Sequence, residues 1–152
     1  MKEQKTTAVI LGVLLCMMIA AAALHAAVRE RVPEGALLIV QNDEKRYLAL
    51  DELALSEVRG IVVNGKGEEK SIQGMGISVA EALSAAGIDR ASLSSLTVEA
   101  DDSYSAELRA EELDEMCSAF LMKEEDGTMR LVVFGDSNAK RNVRNVSRMI
   151  VH

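Results

Sequence analysis

Four basic side chains, Lys140, Arg141, Arg144 and Arg148, fall within nine residues, and Arg130 lies shortly before them. Cations gathered in this way can hold a phosphate or a carboxylate through charge-assisted hydrogen bonds. The plainer alternative, and the favoured one, is that they balance neighbouring carboxylates. Those carboxylates are clustered too, as Asp101-Asp102, Glu111-Glu112, Asp114-Glu115 and Glu124-Glu125-Asp126. Paired carboxylates can bind calcium or do acid–base work. Here Glu111, Glu112, Asp114 and Glu115 fall on the polar side of an expected helix. Glu124 to Gly127 reads as a hairpin turn without the alternating ligand spacing of a calcium loop. Both groups are therefore expected to be solvated surface.

Three further features carry less chemistry. Gly74-Met75-Gly76 is a fragment of a glycine-rich loop, and a helix N-terminus after it could hold an anion. It lacks the third glycine and the long apolar strand of a dinucleotide site, so a strand-to-helix turn is expected. Cys117 has no histidine to activate it and falls on an apolar helix face, which makes it a packed core cysteine. The two histidines, His25 and His152, lie near opposite ends of the chain and provide neither a Ser–His–Asp triad nor a zinc constellation.

The elements that must position these groups are mixed. Ala36 to Val40 is β-like, followed by a polar turn over Gln41 to Lys45 and a second short strand near Tyr47. Asp51 can cap a brief helix through Leu55. Ile61 to Val63 forms another strand, and Asn64-Gly65 is a turn signal because both residues tolerate positive φ. Ser78 and Glu81 make a capping box for a helix whose apolar face is Val79, Ala82, Leu83 and Ala86, and Gly87 supplies the stop. A second amphipathic helix is expected over Ala110 to Leu121, with Leu113, Met116, Cys117 and Phe120 at helical spacing. Strands are expected at Leu96 to Ala100, Arg130 to Phe134 and Val146 to Val151. Without a regular βαβ alternation the fold class is α+β.

Before this body, every residue from Ala8 to Val28 is apolar except Gly12 and His25. Such a run spans roughly 30 Å as a helix, about the hydrocarbon thickness of a bilayer. The expectation is a cytoplasmic tail over 1–7, a transmembrane anchor or uncleaved signal over 8–28 and a linker over 29–35 containing Pro33 and Gly35. The domain then fills 36–152. The alternative is a cleaved signal peptide with Lys2 and Lys5 as its basic region. Cys16 reads as a buried structural cysteine within the run. Lys2 and Lys5 before the run are nearly balanced by Arg29 and Arg31 after it, so orientation rests on the short polar head staying in the cytoplasm. The expected placement is thus the cell membrane, single-pass, with the domain on the extracytoplasmic side.

Charge excludes one class of partner. Of the 17 Lys and Arg and the 24 Asp and Glu, only Lys2, Lys5 and Glu3 precede residue 29, which leaves the remainder at −8. Nucleic acid would be repelled by such a domain unless it carried a segregated basic face.

Five segments, in order, resemble the oxidoreductase molybdopterin-binding domain family, the sulfite oxidase-like fold. Tyr47-Leu48-Ala49-Leu50-Asp51-Glu52-Leu53 is similar to the family's entry segment. Gly76-Ile77-Ser78-Val79-Ala80-Glu81-Ala82-Leu83, with Ala86-Gly87-Ile88, resembles its glycine-led helix. Asp101-Asp102-Ser103-Tyr104-Ser105 resembles its tyrosine turn. Asp126-Gly127-Thr128-Met129-Arg130-Leu131-Val132-Val133 resembles its arginine strand, and 143–151 its closing strand. The resemblance covers residue 36 to the end. It implies a sulfite oxidase-like α+β fold and a molybdopterin cofactor, with Arg130, Lys140 and Arg144 meeting an anionic group such as the pterin phosphate.

The departures shape the functional expectation. The family's metal is held by a cysteine upstream of the Ser78 helix, yet no cysteine occurs between Cys16 and Cys117. Ser103, Thr128 and Phe134 also replace a glycine and two prolines of the family pattern. Without the thiolate, molybdenum has no protein ligand of the family type. The resemblance therefore implies a membrane-tethered, non-catalytic binding or accessory module, with an envelope redox protein as partner. The alternatives are a minimal molybdopterin-dependent oxidoreductase and a structural cell-surface domain that binds protein.

Overall fold

The computed structural model describes residues 2–28, 32–113 and 118–152, with side chains in the first helix described over 10–24. The chain divides into two units, Met1–Arg31 and Val32–His152.

The first unit holds one helix, α1 (Lys2–Val28). Among the described residues, no helix is long and apolar enough to cross a membrane. This corrects the expected transmembrane anchor, and with it the single-pass cell-membrane placement with the domain on the extracytoplasmic side. Cys16 is exposed rather than buried.

The second unit is a mixed, sheet-rich α+β body. Its strands are β1 (Ala36–Gln41), β2 (Glu44–Ala49), β3 (Ser56–Val63), β4 (Glu69–Ser78), β5 (Ser95–Ala100), β6 (Ser105–Arg109), β7 (Ala119–Lys123), β8 (Met129–Val133) and β9 (Val146–Val151); α2 (Val79–Ala85) follows β4. One sheet runs β2-β1-β9-β5-β6 and the other β3-β4-β7-β8. Every named pairing is antiparallel except β1 with β9. The sulfite oxidase-like arrangement expected from the sequence is not shown, and two expected elements are replaced. The helix expected over Ala110 to Leu121 is instead a 3-10 turn over Ala110–Leu113 and the strand β7. Asp114, Glu115, Met116 and Cys117 lie outside the described residues. Gly74-Met75-Gly76 is the interior of β4, not a turn into a helix.

Local chemistry explains the elements that form. Ser78 accepts from the Glu81 N–H while Glu81 accepts from the Ser78 N–H, so α2 begins with a complete capping box. Asn42 and Asp43 both have positive φ, the geometry of a two-residue hairpin between Gln41 and Glu44. After β3, positive φ falls on Gly67 rather than on Asn64 or Gly65. There the Asn64 side-chain carbonyl instead accepts from the Lys66 and Glu68 N–H groups.

Alternation along the strands sorts the two faces of the second sheet. Leu121 and Leu131 join Leu37, Ile39, Leu83, Leu96 and Met149 in the main core, which draws on both sheets and α2. Met122 and Val132 turn the other way, into a smaller cluster with Val62, covered by Ile72, Phe120 and Phe134. A Cβ on Gly60 would overlap the Phe134 ring, and one on Gly76 would stand 2.8 Å from the Leu121 carbonyl oxygen. These glycines let β3 and β4 lie close to their neighbours. The Gly135 N–H donates to the Ile61 carbonyl at 3.1 Å, tying the end of β8 back to β3.

Candidate anion site

Register places Arg130 opposite Met122 across the β7–β8 pair. It therefore shares the outer face with Val132 instead of entering the main core. A second, non-local contact brings Arg144 alongside. The Leu131 N–H donates to the Val143 carbonyl at 2.8 Å, laying the chain of Val143 against β8. Asn145, at φ 51, then turns the chain into β9. Arg130 and Arg144 are thus held on the two residues flanking one backbone bridge.

Both guanidinium groups reach the same oxygen of Glu124, Oε1. Arg130 Nη1 stands 3.8 Å from it and Arg144 Nε also 3.8 Å. Those separations exceed the usual reach of an N–H···O bond, about 2.7–3.2 Å. Glu124 is itself anchored through its backbone, its N–H donating to the Thr128 carbonyl at 2.8 Å. Arg130 Nε is buried and has no hydrogen-bond partner among the described residues. Burial and then the neighbouring Arg144 charge lower the Arg130 pKa, with Glu124 opposing them. Two like charges here share one poorly placed carboxylate. Beside them runs an open groove of about 660 Å³, lined by Arg130, Glu124, Lys70, Lys123, Gln73 and Met122 among others.

Lys140 is not part of this contact. It lies in a 3-10 turn, Ala139–Arg141, where its N–H donates to Asn138 and its carbonyl accepts from the Tyr104 hydroxyl at 2.6 Å. Arg141 beside it is committed elsewhere: Nε donates to Asp136 and Nη1 to Glu112, each at 2.5 Å. Arg148 stands 3.8 Å from Glu99 on the other sheet. The structure thus splits the basic segment three ways and joins only Arg130 and Arg144. Sequence reasoning missed Glu124, which it read as part of a solvated turn. The Val143–Leu131 bridge that makes Glu124 relevant joins distant residues and leaves no local signal.

The other candidates resolve differently. Asp126 accepts from the Thr128 N–H and hydroxyl, which with the nearby Arg144 charge lowers its pKa; this carboxylate is busy closing a hairpin. Among the described residues, no three His, Cys, Asp or Glu side chains group to hold a metal ion. Cys117 lies outside the described residues. No protein-family model matches the chain, and comparison with curated proteins gives no match.

Proposed function

We propose that the body is a non-catalytic binding module that holds an anionic group at Arg130 and Arg144. The observation that carries this reading is the buried, unpartnered Arg130 Nε beside two guanidinium groups sharing one distant carboxylate. A buried donor left unmade costs about 1–3 kcal/mol, more for a charged group, so an entering oxyanion that takes it up gains correspondingly. The relation to molybdopterin-binding domains belongs to the same proposal and rests on the five sequence segments alone. An oxidoreductase partner follows from that relation. Nucleic acid is an unsuitable ligand for so acidic a body, whose cations are dispersed over three places.

The test is calorimetric titration of the full chain with inorganic phosphate and with sulfate, against Arg130→Met. Binding by the wild type that Arg130→Met removes is the expected result. Equal binding by both proteins, or none by either, overturns the reading. Metal analysis of chain expressed where molybdopterin is made supplies a second check. Stoichiometric molybdenum would turn the module into an enzyme with an unforeseen ligand set.

A further inference from the structure

Glu124 occupies the place that a ligand oxygen would take. We infer that Glu124 is an internal competitor at the Arg130–Arg144 site, which admits dianions and turns monoanions away. The inference rests on the anion-site reading above and adds to it a gate and a selectivity.

The geometry supports a competitor more than a permanent partner. A settled arginine–carboxylate pair forms short, often bidentate bonds. Here one oxygen is shared at 3.8 Å by two guanidinium groups. The two cations hold the carboxylate between them without a hydrogen bond to either. The Glu124 side chain keeps 26% of its surface, so it has room to swing outward. Its backbone, fixed by the hairpin to Thr128, need not move when it does.

Charge then sets the selectivity. The positive groups at or beside the groove are Arg130, Arg144, Lys70 and Lys123; the negative ones are Glu124, Glu125 and Asp126. A monoanion that displaces Glu124 exchanges one unit charge for another and gains little. A dianion such as free sulfate or a phosphate monoester brings a second charge to the same two guanidinium groups, with oxygens enough for the unpartnered Arg130 Nε. The groove is open, which suits an anionic group carried on a larger molecule.

The experiment compares wild type, Glu124→Gln and Arg130→Met as full chains, titrated calorimetrically with sulfate and with acetate. Circular dichroism first establishes that each variant is folded, and Glu124→Ala stands in if Glu124→Gln is not. Wild type is expected to bind sulfate and to bind acetate far more weakly. Glu124→Gln should bind sulfate about tenfold tighter and acquire acetate binding, narrowing the preference. Sulfate binding that Arg130→Met removes but Glu124→Gln leaves unchanged or weakens overturns the competitor alone. Absence of sulfate binding in all three proteins overturns the anion site and the competitor together.

Discussion

Two arginines eleven residues apart meet opposite fates. Arg141 is clasped by Asp136 and Glu112, each at 2.5 Å, and those bonds raise its pKa. The clasp ties the turn after β6 to the loop after β8, and the neighbouring Tyr104–Lys140 bond fastens the same region. Arg130 instead shares a carboxylate at 3.8 Å with a second cation, buries an unpartnered Nε and has its pKa lowered. A satisfied ionic network stiffens a fold, whereas a half-satisfied one leaves free energy for a ligand. The difference sets Arg141 apart as a structural residue. Arg148 also buries an unpartnered Nε with a carboxylate at 3.8 Å, and what distinguishes Arg130 from it is the second arginine, Arg144, at the same Glu124 oxygen.

The comparison breaks most readily at the clasp. Arg141→Met leaves two partly buried carboxylates facing each other and should cost about 2–3 kcal/mol in chemical denaturation. Anion binding at Arg130 should survive; its loss would mean that the regions are coupled rather than contrasting.

Acid should act on the clasp next. Burial raises the Asp136 pKa, but the Arg141 and Asn138 hydrogen bonds outweigh it, and the net direction is down. Glu112 behaves alike, with the Arg109 N–H and Arg141 outweighing burial. Folded-state values below the ordinary carboxylate value of about 4 mean stability that is fully present above that pH. It is lost as pH falls through the lowered values. The double variant Glu112→Gln with Asp136→Asn should flatten this acid limb in urea titrations taken at successive pH values. An unchanged limb would assign it to other carboxylates.

Arg130→Met should change stability by less than about 1 kcal/mol, because it removes an unsatisfied buried donor along with a weak ion pair. A stabilising sign would be the sharpest support for the contrast with Arg141. Arg144→Gln should matter least for folding, within about 0.5 kcal/mol, since its side chain is 70% exposed. A larger loss would show that Arg144 fastens the Val143 segment to β8.

Much of the body's local structure was legible in the sequence. Ser78, Glu81 and Gly87 mark the short helix because caps and stops act between neighbours. The strands around Ile39, Val98, Leu131 and Met149 were readable from apolar patterning. The expected helix over Ala110 to Leu121 failed at its C-terminal end because Ala119, Phe120 and Leu121 pair with β8, which overrides the helical spacing of Phe120. β4 was missed because Gly74 and Gly76 weaken a strand signal, and their use becomes apparent only where β7 packs close. The sulfite oxidase-like arrangement and the membrane anchor were both expectations drawn from segments, and neither held.

At the candidate site the division is the same. By itself the sequence determined that the body is acidic, that its cations concentrate near the C-terminus and that no cysteine occurs between Cys16 and Cys117. Composition and short spacing suffice for those statements because charge and ligand type are properties of single residues. Only the tertiary structure decided which cations meet. The Val143–Leu131 bridge sets Arg144 beside Arg130, the 3-10 turn carries Lys140 away, and Glu124 arrives from the adjoining hairpin. Those choices depend on hydrogen bonds between residues far apart in the chain, and such bonds exist only once the sheet has closed.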